Sequence, residues 1–293
     1  MKTVTTTLLR LYKTIFKMMS VMIMLLGILS IAGSLTLAEQ QPPQHFEGFN
    51  LEGFTKEGDK SWDVRGTKAD FVGNTIELVD VDANHYGDEE VNLKAKSGVI
   101  DKATGYIHLQ DDVVITSEKG TQLRTDSLDW HKEQDLVSTE DPVKITDKEK
   151  GMEATGTGLK AHPELKTAQM DKDVTVTVNT KPQSSTGTVI VITCDGPMEI
   201  DQQNNKGVLQ DNVVAIQENR TLKADRMEVV FDPVNKQIKE IVCIGNVIII
   251  QGENSTHSDR AVYSALDKKL TLVGRPKLIL VTEGENGLAA FKE

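Results

Sequence analysis

The sequence predicts an all-β protein, an elongated folded-over β structure of about seven strand-pair repeats of about 30 residues, either jellyroll-like or a closed solenoid, plus an N-terminal hydrophobic helix. Three observations carry this prediction. Apolar and polar residues alternate with period 2 over long stretches, the alternating unit recurs along the chain, and an uncharged run of 21 residues, Met18 to Ala38, precedes the first unit. Period 2 marks a strand half-buried on one face. One strand pair is too small to bury that face alone, so neighbouring units must stack and share an interior.

The unit is clearest from Thr221 to Ile250. Leu222 and Ala224 share a face, and after a one-residue slip at Asp225-Arg226 the residues Met227, Val229 and Phe231 return to it. An extra residue in strict alternation reads as a β-bulge. Beyond a turn at Asp232-Pro233-Val234-Asn235, Ile241, Cys243, Val247 and Ile249 share one parity around a bend at Gly245-Asn246. The slip recurs at Thr67, Lys96, Asp126, Thr155, Asp195, Asp225 and Asp259, spaced 29 to 40 residues apart. The bend recurs at Asp80, Asp112, Pro142, Asp173, Asn212, Asn246 and Pro276, spaced 30 to 39 apart. These two anchors keep the same beat and share one long gap. Turns of both kinds favour an antiparallel meander over a parallel β-helix. At about 4.8 Å per layer, seven layers reach about 34 Å.

In chain order, residues 1–38 form an anchor or signal segment whose four charges, Lys2, Arg10, Lys13 and Lys17, all precede the apolar run. About 20 apolar residues cross a bilayer and basic flanks stay cytoplasmic, so the chain beyond Ala38 is exported. The run is longer than the roughly 7–15 residues of a signal core, which favours a retained anchor over cleavage after Thr36-Leu37-Ala38. Met18, Leu25, Leu26, Ile28 and Leu29 are its candidate membrane residues. Residues 39–58, with Gln40-Gln41-Pro42-Pro43-Gln44, read as a tether. Residues 59–178 hold four units, the polar insertion at 179–188 (NTKPQSSTGT) fills the long gap, 189–282 hold three units, and 283–293 form a tail.

Charge and motifs exclude several functions. The chain carries 33 Lys and Arg against 44 Asp and Glu, a net charge of −11, and the four basic residues before position 38 leave the remainder near −15. That balance argues against nucleic acid and against docking on anionic lipid. Six scattered histidines lack metal-ligand spacing, and no Cys-x-x-Cys, P-loop, dinucleotide or nucleophile-elbow motif occurs, so neither an enzyme nor a cofactor is expected. Acidic bend residues such as Asp111-Asp112 serve backbone geometry without calcium. Cys194 and Cys243 sit at interior parity and read as small buried hydrophobes; a disulfide would require their Cα atoms to lie within about 7 Å.

The interior is therefore the functional feature. Its candidate residues are Leu109, Val113, Ile115, Leu123, Leu128 and Trp130 in the first units, and Ile192, Met198, Ile200, Leu209 and Val213 after the insertion. Leu222, Met227, Val229, Phe231, Val247 and Ile249 continue the set. If the sheets close, these residues form an ordinary core; if they splay, they line a groove suited to acyl chains, each buried methylene contributing about 0.8 kcal/mol. Periodicity leaves both open.

A family resemblance adds to this reading. GDKSWDVRGTKADF (58–71), VNLKAKSGVIDKATGYIHLQDDVVI and LRTDSLDW resemble LptC, the periplasmic component of lipopolysaccharide export. ITCDGPMEIDQQNNKGVLQDNVVAIQENRTLKADRMEVVF resembles the LptA/OstA domain of the same pathway. The resemblance covers about residues 58–281 and makes 59–178 an LptC-like and 189–282 an LptA/OstA-like jellyroll. It implies an elongated open β-jellyroll in a periplasmic protein held at the inner membrane, an interior shielding lipid A acyl chains, and a headgroup left in solvent because an acidic protein has no reason to hold it. Implied partners are lipopolysaccharide, inner-membrane ABC exporter components, and an LptA-like or outer-membrane LptD-like jellyroll joined by edge-strand pairing. The alternative is a structural β-solenoid scaffold that assembles through its edges without lipid.

Overall fold

Seventeen strands form one antiparallel sheet in the computed structural model, which describes residues 43–87, 90–149, 151–162, 164–179, 188–234 and 238–281. They are β1 (Gln44–Phe54), β2 (Lys60–Val72), β3 (Thr75–His85), β4 (Val91–Asp101), β5 (Ile107–Ser117), β6 (Thr121–His131), β7 (Leu136–Asp147), β8 (Met152–His162) and β9 (Thr167–Asn179). After the insertion come β10 (Val189–Cys194), β11 (Met198–Asp201), β12 (Lys206–Gln217), β13 (Arg220–Phe231), β14 (Ile238–Gln251), β15 (Asn254–Ser264), β16 (Lys269–Val273) and β17 (Lys277–Ile279). The apolar run at 18–38 and its five candidate anchor residues lie outside the described residues, as does 283–293.

The sheet is a meander. Each strand from β1 to β9 pairs with the next. The strands β10 and β11 both lie between β9 and β12, so they are two pieces of one line, broken at Asp195-Gly196-Pro197. β16 and β17 lie on β15 in the same way, broken at Gly274-Arg275-Pro276. Proline has no ladder donor, so the line stops there and resumes. Counted by lines, β2 to β17 make the seven expected pairs. The 34 Å expectation is too short, because both strands of a pair lie side by side in the sheet. Fifteen lines at about 4.8 Å each span about 67 Å along the sheet.

The expected bends are inside strands rather than between them. Asp80, Asp112, Asp173, Asn212 and Asn246 have φ of 54°, 52°, 54°, 51° and 45°. Ladders slip a register at Lys94/Ser97, Gln110/Val113, Thr139/Pro142, Lys223/Arg226 and Ile244/Val247. Asn and Asp tolerate the left-handed region better than other side-chain-bearing residues. The two anchors read from the sequence meet across neighbouring strands at this level. Thr67 Oγ1 donates to Asp80 Oδ2 (2.7 Å), Lys96 Nζ to Asp112 Oδ2 (2.5 Å), Asn212 Nδ2 to Asp195 Oδ2 (2.6 Å) and Asn246 Nδ2 to Asp225 Oδ2 (2.9 Å). A line of polar pairs thus crosses the sheet and divides it into two leaves.

With no helix longer than one 3₁₀ turn among the described residues, the apolar face of each leaf is covered by the other. One contiguous buried cluster runs from Val64 to Ala261. One expectation is corrected. Gln44–Phe54, read as tether, is strand β1, paired with β2 along its length. Gly48 (φ 69°) falls opposite the skipped Thr67 and shifts the parity between Phe46 and Phe49, which hides the alternation in sequence. The 179–188 insertion, of which 180–187 lie outside the described residues, does not interrupt the sheet, because Asn179 pairs with Val189.

The bend tolerates no side chain at Gly245, where φ is 74° and an added Cβ would lie 2.2 Å from Asp225 Oδ2. Gly245→Val is expected to destabilise the protein by about 2–3 kcal/mol in urea unfolding. At Gly252 (φ 60°) an added Cβ meets nothing within 4 Å, so Gly252→Ala isolates the backbone term and is expected to cost about 1 kcal/mol.

Candidate functional site: the interior and its C-terminal mouth

Inward-facing residues can be ordered by distance from the bend. In β5 they are Val113, Ile115 and Ser117, in β6 Thr125, Leu123 and Thr121, and in β7 Val143, Ile145 and Asp147; all nine are buried, even the polar rim residues Ser117 (4%) and Asp147 (1%). Thr121 Oγ1 reaches Asp147 Oδ2 at 3.3 Å, which gives that buried carboxylate a partner. The same positions three pairs later behave differently. In β12 Val213 is buried but Ala215 and Gln217 are half-buried. In β13 Ala224 is buried, Leu222 half-buried and Arg220 exposed; in β14 Val247 is buried, Ile249 half-buried and Gln251 exposed. Burial at the bend is constant, whereas burial at the rim is lost from β12 onward.

The opening ends in a cleft of about 610 Å³. Ile249, Thr256, Leu278 and Val281 line it from the leaf that holds β17, and Leu270 and Leu272 line it from the leaf that holds β16. It is the gap between the two leaves at the C-terminal end of the sheet. Leu270 (47%), Leu278 (55%) and Val281 (54%) keep large apolar surfaces in solvent. At the opposite end the interior is filled by rings. Trp62 lies over Gly53, where an added Cβ would be 2.0 Å from Nε1, and Phe49 lies over Gly66.

Of the sequence candidates, Leu109, Val113, Ile115, Leu123, Leu128, Trp130, Ile192, Met198, Ile200, Leu209, Val213, Met227, Val229, Phe231 and Val247 are buried in one cluster, with Leu222 and Ile249 packed against it. The mouth residues Leu270, Leu272, Leu278 and Val281 were missed. Their alternation is confined to two short strands around Pro276, although Leu270-x-Leu272 is a period-2 pair. Cys194 and Cys243 are buried free thiols, pushed up to about 11 by burial. They lie three lines apart, about 14 Å at the spacing of strands, beyond disulfide reach. Among the described residues no group of three or more His, Cys, Asp or Glu is placed to hold a metal, and no helix is long and apolar enough to cross a membrane. Trp130 Nε1 and His85 Nδ1 are buried without a hydrogen-bond partner among the described residues.

On the outer face near the N-terminal end, Asp63 is a buried carboxylate. Burial works against its charge, but Lys60 Nζ (2.8 Å), Asn84 Nδ2 (2.9 Å) and the Tyr86 hydroxyl (2.7 Å) outweigh it and hold the group down to about 2. The ammonium of Lys60 also lies 5.5 Å from the Tyr86 ring centre.

Comparison with known proteins gives two family matches. The family model described as lipopolysaccharide-assembly, LptC-related, matches residues 15–179. That described as LptA/(LptD N-terminal domain) LPS transport protein matches residues 196–286. No curated protein matches the chain. Among solved structures, LptH from Pseudomonas aeruginosa, the LptA-homologous periplasmic component of the lipopolysaccharide transport device, aligns at 15% identity and a TM-score of 0.21, over 65% of this chain and 94% of that one.

Two outcomes are expected from the site's geometry. Because the Asp63 carboxyl is depressed in the folded state, its contribution is complete above the unfolded value near 4 and is lost as pH falls to about 2. Asp63→Asn should lower stability at pH 7 by about 1–2 kcal/mol and flatten the fall between pH 4 and 2, measured by denaturant unfolding. Truncating the sealed and open sections should also differ. Leu109→Ala is expected to cost about 2–5 kcal/mol and Leu278→Ala less than about 1 kcal/mol.

The LptC-related match spans more than half of the 293 residues, and the chain belongs to that family of lipopolysaccharide-assembly proteins, with an LptA/LptD N-terminal-type domain following in the same polypeptide.

Proposed function

We propose that this protein carries lipopolysaccharide through the periplasm without chemical turnover, shielding lipid A acyl chains in the apolar interior and leaving the sugar headgroup outside. The observation that carries this reading is the continuity of one apolar interior with a cleft of about 610 Å³ whose lips are exposed leucines. That volume falls within the range of about 300–1,000 Å³ of ligand sites. Family membership supplies the substrate class.

Residues 1–38 hold the protein in the inner membrane next to the ABC exporter components that load it. The LptC match begins at residue 15, ahead of the apolar run, which supports treating that run as part of the family unit. Residues 59–178 and 189–282 are the LptC-like and LptA-like sections, joined through the 179–188 insertion. Among the described residues β1 pairs on one side only, and β16 and β17 pair only with β15. Such edges accept another strand, and the C-terminal one is the docking edge for an LptA-like or LptD-like jellyroll.

Full-length protein in detergent is expected to capture radiolabelled lipopolysaccharide at about one per chain, with competition by lipid A and none by free core oligosaccharide. Folded protein that assembles through its edges yet captures no lipopolysaccharide would establish a scaffold instead.

A further inference from the structure

We propose that the outer face of the leaf containing β10, β12, β13, β14, β15 and β17 is a docking surface, and that residues 282–293 of this chain occupy it. The proposal concerns the side of the sheet opposite the cleft and does not depend on the lipid-carrier reading.

The first observation is a change in the outer face. One row of outward positions can be followed across the leaf through the strand registers. In β4 to β9 it reads Asn92, Thr116, Gln122, Thr146, Glu153 and Thr177, all polar. Over the next six lines the same row reads Val191, Ile216, Thr221, Ile250, Ser255 and Ile279. One row nearer the bend, Val214 and Ile248 extend the apolar surface. All of these point outward, because Ala215, Leu222, Ile249 and Leu278 alternate with them on the inner side. Strand β14 is thus apolar on both faces through Val247, Ile248, Ile249 and Ile250, the pattern of a strand covered on both sides. Ile216 and Ile279 are nevertheless exposed among the described residues.

The second observation is charge. Lys223 and Lys277 stand in the row of Val214 and Ile248 and have no ion-pair partner among the described residues. Lys94 and Lys144, in the same row of β4 and β7, are paired with Asp82 at 3.5 Å and Glu153 at 2.9 Å. Lysines guard sheet edges against self-association, but β13 is an interior line, so edge protection does not account for Lys223. The surface therefore fits a segment that is both apolar and acidic.

Residues 282–293, TEGENGLAAFKE, have that composition: Glu283, Glu285 and Glu293 stand against Lys292, around Leu288 and Phe291. They also start from the right place. Strand β17 runs toward the rim, where the Val281 N–H donates to Asn254 Oδ1 (3.0 Å) at the β14–β15 turn, close to Ile250. From Ile279 to Val191 is about 24 Å across the strands, and a segment of this length reaches about 40 Å when extended. Size favours this occupant over a second copy. The six lines and two rows give a footprint of about 29 by 14 Å, roughly 400 Å², half of the about 800 Å² per partner of a stable interface. A tethered segment needs less, since its effective concentration is on the order of millimolar. Docked there, it also braces β17, whose pairing with β15 is confined to Lys277, Leu278 and Ile279.

The test places a photo-crosslinker at Ile216 or Ile250 of the full-length protein and, as a control in the same row, at Gln122. Crosslinks from positions 216 and 250 to residues 288–291 of the same chain are expected, with a yield independent of protein concentration, and none from position 122. The double variant Lys223→Glu, Lys277→Glu should lower that yield about tenfold. So should Leu288→Asp with Phe291→Asp, which leaves every described residue unaltered. A yield that either double variant leaves unchanged would overturn the proposal. Products of twice the mass whose yield rises with concentration would put a second copy on the face and overturn it as well. Absence of crosslinks from positions 216 and 250, or equal labelling from position 122, would do the same.

Discussion

A single sheet with no covering helix among the described residues can bury an apolar face only against itself, and every strand must then turn the corner at the same level. The line of polar pairs from Thr67–Asp80 to Asp225–Asn246 meets this demand. Each pair sets a left-handed residue on one strand against a hydrogen-bonding partner on its neighbour, so the bend is repeated in register rather than distributed along the strand. The extra residue shifts parity at the corner, and the same face stays inward on both leaves. Fixing the corner and alternating the residues beyond it is sufficient to build the interior from aliphatic side chains, which accounts for an aromatic content of only 4%.

The corner is uniform but the rim is not. Polar rim residues of the first section are inward and buried, as with Thr121 and Asp147. Those of the later section are Gln217, Arg220 and Gln251, whose long side chains reach water and leave Ala215, Leu222 and Ile249 half-covered. The protein thus joins a closed section, with Trp62 and Phe49 at its start, to an open one that ends in exposed leucines.

Much of this was legible in sequence because a strand repeat leaves two marks, alternation and the residue that breaks it. Asn246 could be located without any structure because left-handed backbone selects Asn, Asp and Gly, and Asp225 because it interrupts the alternation of its strand. Strand β1 was not legible, since Gly48 breaks its alternation after a single apolar residue, Phe46. The mouth was not legible either. Whether Leu222 is sealed or half-open depends on what lies across the interior, and sequence separation along a meander carries no record of that.

The two tryptophans offer the most direct measurement. Trp62 lies at the N-terminal end and Trp130 is buried in the sealed section, so both report on the sealed part of the interior. Lipopolysaccharide carrying brominated acyl chains would be added to the full-length protein and to a Leu278→Trp variant, and indole fluorescence would be followed. The account predicts unchanged emission from Trp62 and Trp130 and strong quenching of the indole at position 278. Quenching of the two native tryptophans would contradict it, placing the acyl chains in a conduit that runs the whole length of the sheet.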